Sequence, residues 1–398
     1  MMRKRLKSKD RIQTYSCGML IVTAFFGEQF KVFSVPIYCY FIVFTIIVMA
    51  FNSEARIRVN KKIQLNNLSH FAVLWAVLAT FLFLFTISKV GTQPYLYCIA
   101  SALIVYVVAN SAKDKESTDI LFKFAYVAIV FTCIVCVFEL ITGIHIIRTD
   151  EYYTRMGTGN SFGFQVNVND NASLLVMSLF APLYFFKRRK VLNIMVLLLL
   201  GYLIVRIGSR LAILSALGGL IVAMMTSVTA LVDRKGNRFL TISLFFGGLA
   251  AIVLLIATLD SQKFLSVISD TGNYANDMAR IVFMQRALNR TNLLGYLVGN
   301  GAGVTQMKVG YSIHSMFVEI LCDYGIFVTA WFASFPIKLL LSFNKSIKTS
   351  SKMYLVSFAL CYVMISFCSS SMLRIRGIWV LFSLGWSYYQ VLLREVKE

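Results

Sequence analysis

Long apolar runs separated by short polar breaks occupy most of the chain. A helix crossing a bilayer needs about 20 apolar residues, because inside lipid its backbone groups must bond to one another rather than to water. The pattern predicts spans at 12–26, 32–51, 66–88, 94–111, 120–143, 171–186, 191–206, 211–231, 239–259, 314–342, 353–370 and 377–393. The first and seventh are short. The tenth is long and is expected to start outside the membrane or to lie tilted. The predicted fold class is an all-α integral membrane protein with about 12 transmembrane helices, one polytopic domain over residues 1–398. The halves show no internal repeat, and no pair of Gly- or Pro-broken helices recurs at matching positions, which counts against a transporter built from inverted repeats.

Two polar breaks are far longer than the rest. The first large outer loop, 144–171, contains HIIRTDEYYTRMGTGNSFGFQVNVNDN, crowded with Asn, Gly and aromatic residues. Amides and aromatic faces together suit sugar hydroxyls and apolar sugar faces; Tyr153, Asn167 and Asn169 are its candidates. The same residues also serve as ordinary turn formers. The second large outer loop, 260–313, opens with a stretch, Tyr274–Arg290, that can form an amphipathic helix lying along the membrane. Met278, Ile281, Gln285 and Leu288 fall on one of its faces. Arg286 and Arg290 share another face and suit lipid headgroups, with Arg280 about 100° away. LVGNGAGV follows, with Gly299, Gly301 and Gly303. A nucleotide loop of this kind needs a preceding strand and a βαβ frame, and neither is predicted. A re-entrant turn feeding the tenth span fits better.

Composition removes the soluble alternative. The chain is 58% hydrophobic and 14% charged, against about 25% charged for soluble domains. The eight cysteines all lie in apolar runs, so no disulfide framework is implied. Cys133 and Cys136 form a CxxC, but inside a span, where small packing residues are the simpler account. The basic N-terminus leads into an apolar run without a small-residue cleavage motif, so a retained first helix is expected.

The net charge of +21 would suggest nucleic acid in a soluble protein. Here cytoplasmic loops of a membrane protein account for most of it. With both termini cytoplasmic, the inner segments hold 24 of the 39 basic residues, 10 Arg and 14 Lys. The outer segments hold 13, of which nine are Arg: 148, 155, 206, 210, 280, 286, 290, 374 and 376. Topology does not enrich the outer face in arginine. Its planar fork does match phosphate oxygens, so an anion is expected there. Helix-end snorkelling explains an individual arginine equally well.

Histidine is rare, and His314 opens the tenth span beside the arginine-bearing loop. It can exchange a proton near neutral pH, or simply cap the helix. Glu139, Glu319 and Asp323 are acids in or near the membrane and so are functional candidates. Glu319 and Asp323 would also serve as partners for Arg374 or Arg376. Arg210 opens the eighth span, where a cation opposes the helix dipole. An anionic ligand or a neighbouring acid must compensate.

The segments GTGNSFGFQVNVNDNASLLV, GSRLAILSALGGLIV, MARIVFMQRALNRTNLLGYLVGNGAGV and HSMFVEILCDYGIF together resemble the O-antigen polymerase and ligase superfamily of bacterial envelope glycosyltransferases. The matching positions are Asn169, Ser209–Arg210, Arg280 with Gly301 and Gly303, and His314 with Gly325. Val168 stands where the family usually has Pro, and Ser315 where Asn is commoner. The resemblance covers roughly residues 150–330. It implies a GT-C-like, metal-independent glycosyltransferase without cofactors, in the bacterial plasma (inner) membrane, with its active site on the outer face. The donor would be an undecaprenyl-pyrophosphate-linked oligosaccharide. Arg210 and Arg280 would hold the pyrophosphate, with Arg155 counted beside them from the outer arginine set. His314 and Arg280 would be catalytic. Chain-length regulator and flippase proteins are the implied partners, besides the lipid bilayer, and nucleic acid is not. A repeat-unit polymerase is the first expectation. A ligase passing finished glycan to a lipid or wall acceptor, or a membrane glycan transporter, are the alternatives.

Overall fold

The computed structural model describes residues 8–51, 67–146, 163–165, 167–186, 188–219, 273–344, 347–368 and 372–396. The helices cluster into two compact units: Met1–Ile129, Ile281–Phe335 and Ser370–Glu398 in the first, Val130–Arg280 and Pro336–Ser369 in the second. Helices dominate both. The only strands among the described residues are β1 (Lys31–Val32) and β2 (Val35–Pro36), a two-residue hairpin. Among the described residues, five helices are long and apolar enough to cross a membrane, and the protein is a multi-pass membrane protein on that ground. The expected span at 239–259 lies outside the described residues.

The first unit begins with α1 (Ser8–Phe25), the hairpin, α2 (Ile37–Phe51), α3 (Leu68–Val90) and α4 (Gln93–Ser111). The start of α5 (Lys115–Thr142) belongs to it as well. Gly18 lets α1 approach α5, because a Cβ there would overlap the Phe124 ring. Close crossings at small residues are the usual basis of helix packing in lipid, where apolar burial drives nothing. Aromatic rings then bind α3 to α13 (Met316–Leu340) and α15 (Arg376–Glu395). Trp75 meets Trp379 at 5.2 Å and Tyr324 at 5.9 Å between centroids, and Phe335 meets Trp386 edge-on at 4.7 Å. Such offset pairs add about 0.5–1.5 kcal/mol each beyond area burial.

The second unit takes the rest of α5, then α6 (Val168–Ser178), α7 (Phe180–Tyr184), α8 (Lys190–Ile207), α9 (Arg210–Gly219) and α14 (Thr349–Ile365). The expected span 171–186 is thus two pieces. Pro182 has no N–H to give the Ser178 carbonyl and its ring crowds that group, so the helix breaks between them. Phe180 packs at 5.1 Å on Phe358 and at 5.6 Å on Tyr354 of α14.

The second long polar stretch, expected as a loop, is largely helical over its described residues. From residue 273 it is three helices: α10 (Asn273–Asn289), α11 (Leu293–Val298) and α12 (Val304–Val309). The expected apolar face of α10 is shifted. Phe283, Met284, Ala287 and Leu288 pack against Val309, Ile313 and Cys322, while Ile281 and Gln285 are exposed. The periodicity was right, but an aromatic and a small residue that fit α12 decide which stripe is buried. Arg286 and Arg290 are exposed, and Arg290 also donates to the Lys308 carbonyl, tying α10 to α12.

Candidate functional site

The glycine-rich turn explains itself through α13. Gly325 (φ 80°, ψ 174°) interrupts that helix and leaves carbonyls of the preceding turn without their intrahelical donors. The turn supplies replacements. Asn300 gives its backbone N–H (2.9 Å) and its side-chain amide (2.8 Å) to the Cys322 carbonyl, and Gly301 N–H gives 2.9 Å to the Asp323 carbonyl. The two backbones touch so closely that a Cβ on Gly299 would overlap the Asp323 carbonyl, and one on Gly325 the Leu297 carbonyl. The Asp323 carboxylate meanwhile caps α12, accepting from Gly303 N–H (2.9 Å), Thr305 N–H (3.2 Å) and the Thr305 hydroxyl. The glycines therefore repair a broken helix, and Asp323 holds the turn rather than an arginine.

His314 stands just before this broken helix, half-buried and in the left-handed region at φ 56°. Ser315 behind it caps α13, its hydroxyl accepting from Val318 N–H at 3.4 Å. A non-glycine residue at positive φ is uncommon, and such residues collect at functional sites.

Arg376 was expected among the outer anion-binding arginines, and the structure corrects that. Its side chain is fully buried in the first unit and donates to Glu28 (3.2 Å), Ser101 (2.9 Å), Tyr38 (3.2 Å) and the Leu373 carbonyl. Tyr97 completes the cluster by donating to Glu28 at 2.9 Å. The acid is thus Glu28, rather than Glu319 or Asp323. Arg374 is exposed and stacks over the Tyr97 ring at 5.4 Å.

The second unit holds four of the expected positions, Asn167, Asn169, Arg210 and Arg280. Asn167 caps α6, its side chain accepting from Asn169 N–H at 2.8 Å. Its side-chain carbonyl oxygen therefore takes part in the fold. The following turn presents Asn169, half-buried, and Asp170, buried. Ser209 and Arg210 open α9 after the left-handed Gly208 that ends α8. Cys368 joins these segments. Its thiol lies 3.1 Å from the Ser209 hydroxyl and 4.0 Å from the Asn169 carbonyl. Ser173 bonds to it as well, and Arg280 and Asp170 act on it electrostatically. Arg210 and Arg280 are each partly exposed. Arg155 and Tyr153 lie outside the described residues.

Sequence reasoning missed Cys368, which looks like any apolar packing residue in its run. It also left Glu139 without a role. That buried carboxylate accepts N–H groups from Ile146 (3.2 Å) and Gly163 (2.8 Å) and sits 3.9 Å from His145. Among the described residues, no group of three or more His, Cys, Asp or Glu side chains is placed to hold a metal ion. No protein-family model matches the chain, and no curated protein sequence matches it.

Proposed function

We propose that the protein is a polysaccharide repeat-unit polymerase of the bacterial plasma membrane, GT-C-like, with about twelve spans and its site on the outer face. It transfers a glycan from undecaprenyl pyrophosphate to the non-reducing end of another lipid-linked unit. One observation carries this assignment. Asn169, Ser209 beside Arg210, and Arg280 are far apart in sequence, yet they lie in one unit, where the Ser209 hydroxyl and the Asn169 backbone carbonyl both meet the Cys368 thiol. These are the positions at which the resemblance places glycan and pyrophosphate contacts.

An acceptor hydroxyl oxygen bonds to the anomeric carbon. The bond from that carbon to the pyrophosphate oxygen breaks, and undecaprenyl pyrophosphate leaves with the electron pair. Arg210 and Arg280 stabilise the charge that develops on the leaving group, as preorganised donors do. Charge-assisted bonds of this kind are worth about 1.5–3 kcal/mol each. The family resemblance gives the acceptor proton to a histidine, here His314 of the first unit, a contribution of typically 10²–10⁴-fold.

Purified protein in vesicles with a lipid-linked repeat unit tests this. Products longer than one unit are expected, and their absence removes the polymerase. In cells, Arg280→Ala or His314→Ala leaves single repeat units on the surface. Long polymer stranded on its carrier would instead identify a ligase.

A transporter is the second possibility, and broken helices favour it. The sequence pattern shows no such pair, yet each unit contains one, at Gly325 and between Ser178 and Phe180. Discontinuous helices line the substrate sites of many transporters. Movement of the intact lipid-linked unit across vesicles without elongation would support that alternative.

A further inference from the structure

The hairpin between α1 and α2 carries its most conspicuous residue in a costly position. β1 and β2 are joined by Phe33 and Ser34 at φ 49° and 66°. A two-residue turn with both angles positive favours Asn-Gly or Gly-Gly, and a bulky aromatic there is an outlier. The hairpin is firmly held nonetheless. Ile37 N–H donates to the Phe30 carbonyl at 2.9 Å, and the Tyr40 hydroxyl donates to the Val32 carbonyl at 2.8 Å. Phe33 ends up 92% exposed, and Phe30, Val32 and Val35 are each at least 40% exposed. Lys31 stands among them.

What covers this tip follows from α2. One face of α2 is buried in the protein through Tyr38, Ile42, Thr45 and Met49. The opposite face exposes Tyr40, Val43, Phe44, Ile47 and Phe51, apolar throughout. In a multi-pass membrane protein, a helix face of that composition meets lipid. The hairpin's apolar surface continues it without a polar interruption other than Lys31 and Ser34. Length points the same way. At about 1.5 Å per residue, the 15 residues of α2 span about 22 Å, short of the roughly 30 Å hydrocarbon core. Asn52, Ser53 and Glu54 follow in the sequence at one end, and the hairpin adds apolar surface at the other.

We propose that this hairpin is a membrane-interface anchor. Phe33 inserts at the boundary between headgroups and acyl chains, completing the short span of α2, and Lys31 meets lipid phosphate. Its occupant is the bilayer itself rather than a partner protein. The inference does not rest on the polymerase assignment.

Phe33→Trp in the full chain, reconstituted in phosphatidylcholine vesicles, tests it against the unsubstituted protein as background. The added emission is expected to be quenched by lipids brominated on their acyl chains and spared by aqueous iodide. Val35→Trp provides a second site if Phe33→Trp does not fold. Quenching by iodide with no response to brominated lipid overturns the proposal, since the tip is then in water. Protection from both quenchers also overturns it, since protein then covers the tip. Loss of the brominated-lipid response on adding Lys31→Glu would support the phosphate contact.

Discussion

Two arginine-bearing regions of this protein are built in opposite ways. Arg376, in the first unit, is completely buried among Glu28, Tyr38, Ser101 and the Leu373 carbonyl. Arg210 and Arg280, in the second unit, stay partly exposed, with Ser209, next to Arg210 in the chain, and Arg280 both acting on Cys368. A cation wrapped by an acid and neutral acceptors belongs to the fold. On the proposed function, Arg210 at the start of α9, where the dipole opposes a cation, and Arg280 within α10 are the arginines that receive an anion. On that proposal one residue type serves two purposes, and burial separates them.

Breaking the wrapped arginine should have the largest effect. Arg376→Ala leaves Glu28 mostly buried without its counter-charge, a loss of about 3–5 kcal/mol that thermal unfolding in detergent would measure. If Arg376→Ala folds normally and loses only activity, the contrast between the two regions collapses. Arg280→Ala should leave the unfolding temperature unchanged and lower polymer formation by about a hundredfold, read as repeat units added per minute. Asp323→Ala should cost about 1–3 kcal/mol, because it strands the N–H groups of Gly303 and Thr305. Asp323→Asn should recover part of that, a result that an electrostatic role in catalysis would not give. The smallest effect belongs to Arg374→Ala, about 0.5–1 kcal/mol from an exposed guanidinium over Tyr97, with product length unchanged.

Glu28 and Arg376 show where sequence reasoning stops. They lie 348 positions apart, and nothing in either neighbourhood marks them as partners. Counting Arg376 with the arginines expected to meet an anion was mistaken as chemistry. The glycine turn went the other way. Its glycines were visible in the sequence, as was the lack of a βαβ frame around them. That they repair α13 depends on Gly325, a residue that looks like an ordinary small residue within an apolar run. In α10 the helical period was legible, but the buried stripe was not, since Phe283 and Ala287 are selected by the shape of α12.

The sequence by itself determined the medium and the class of structure. Apolar runs of spanning length exclude water, and without water the backbone must bond to itself, which makes helices. It also located the rare polar residues worth weighing, because each is expensive in lipid. Only the tertiary structure decided what each one does. Asp323 caps a helix, Glu139 grips backbone N–H groups, Arg376 is neutralised by Glu28, and Cys368 meets the Ser209 hydroxyl and the Asn169 backbone carbonyl. The physical reason is that a polar group's role is set by which partners reach it. In a bundle of apolar helices those partners come from distant segments that packing alone brings together.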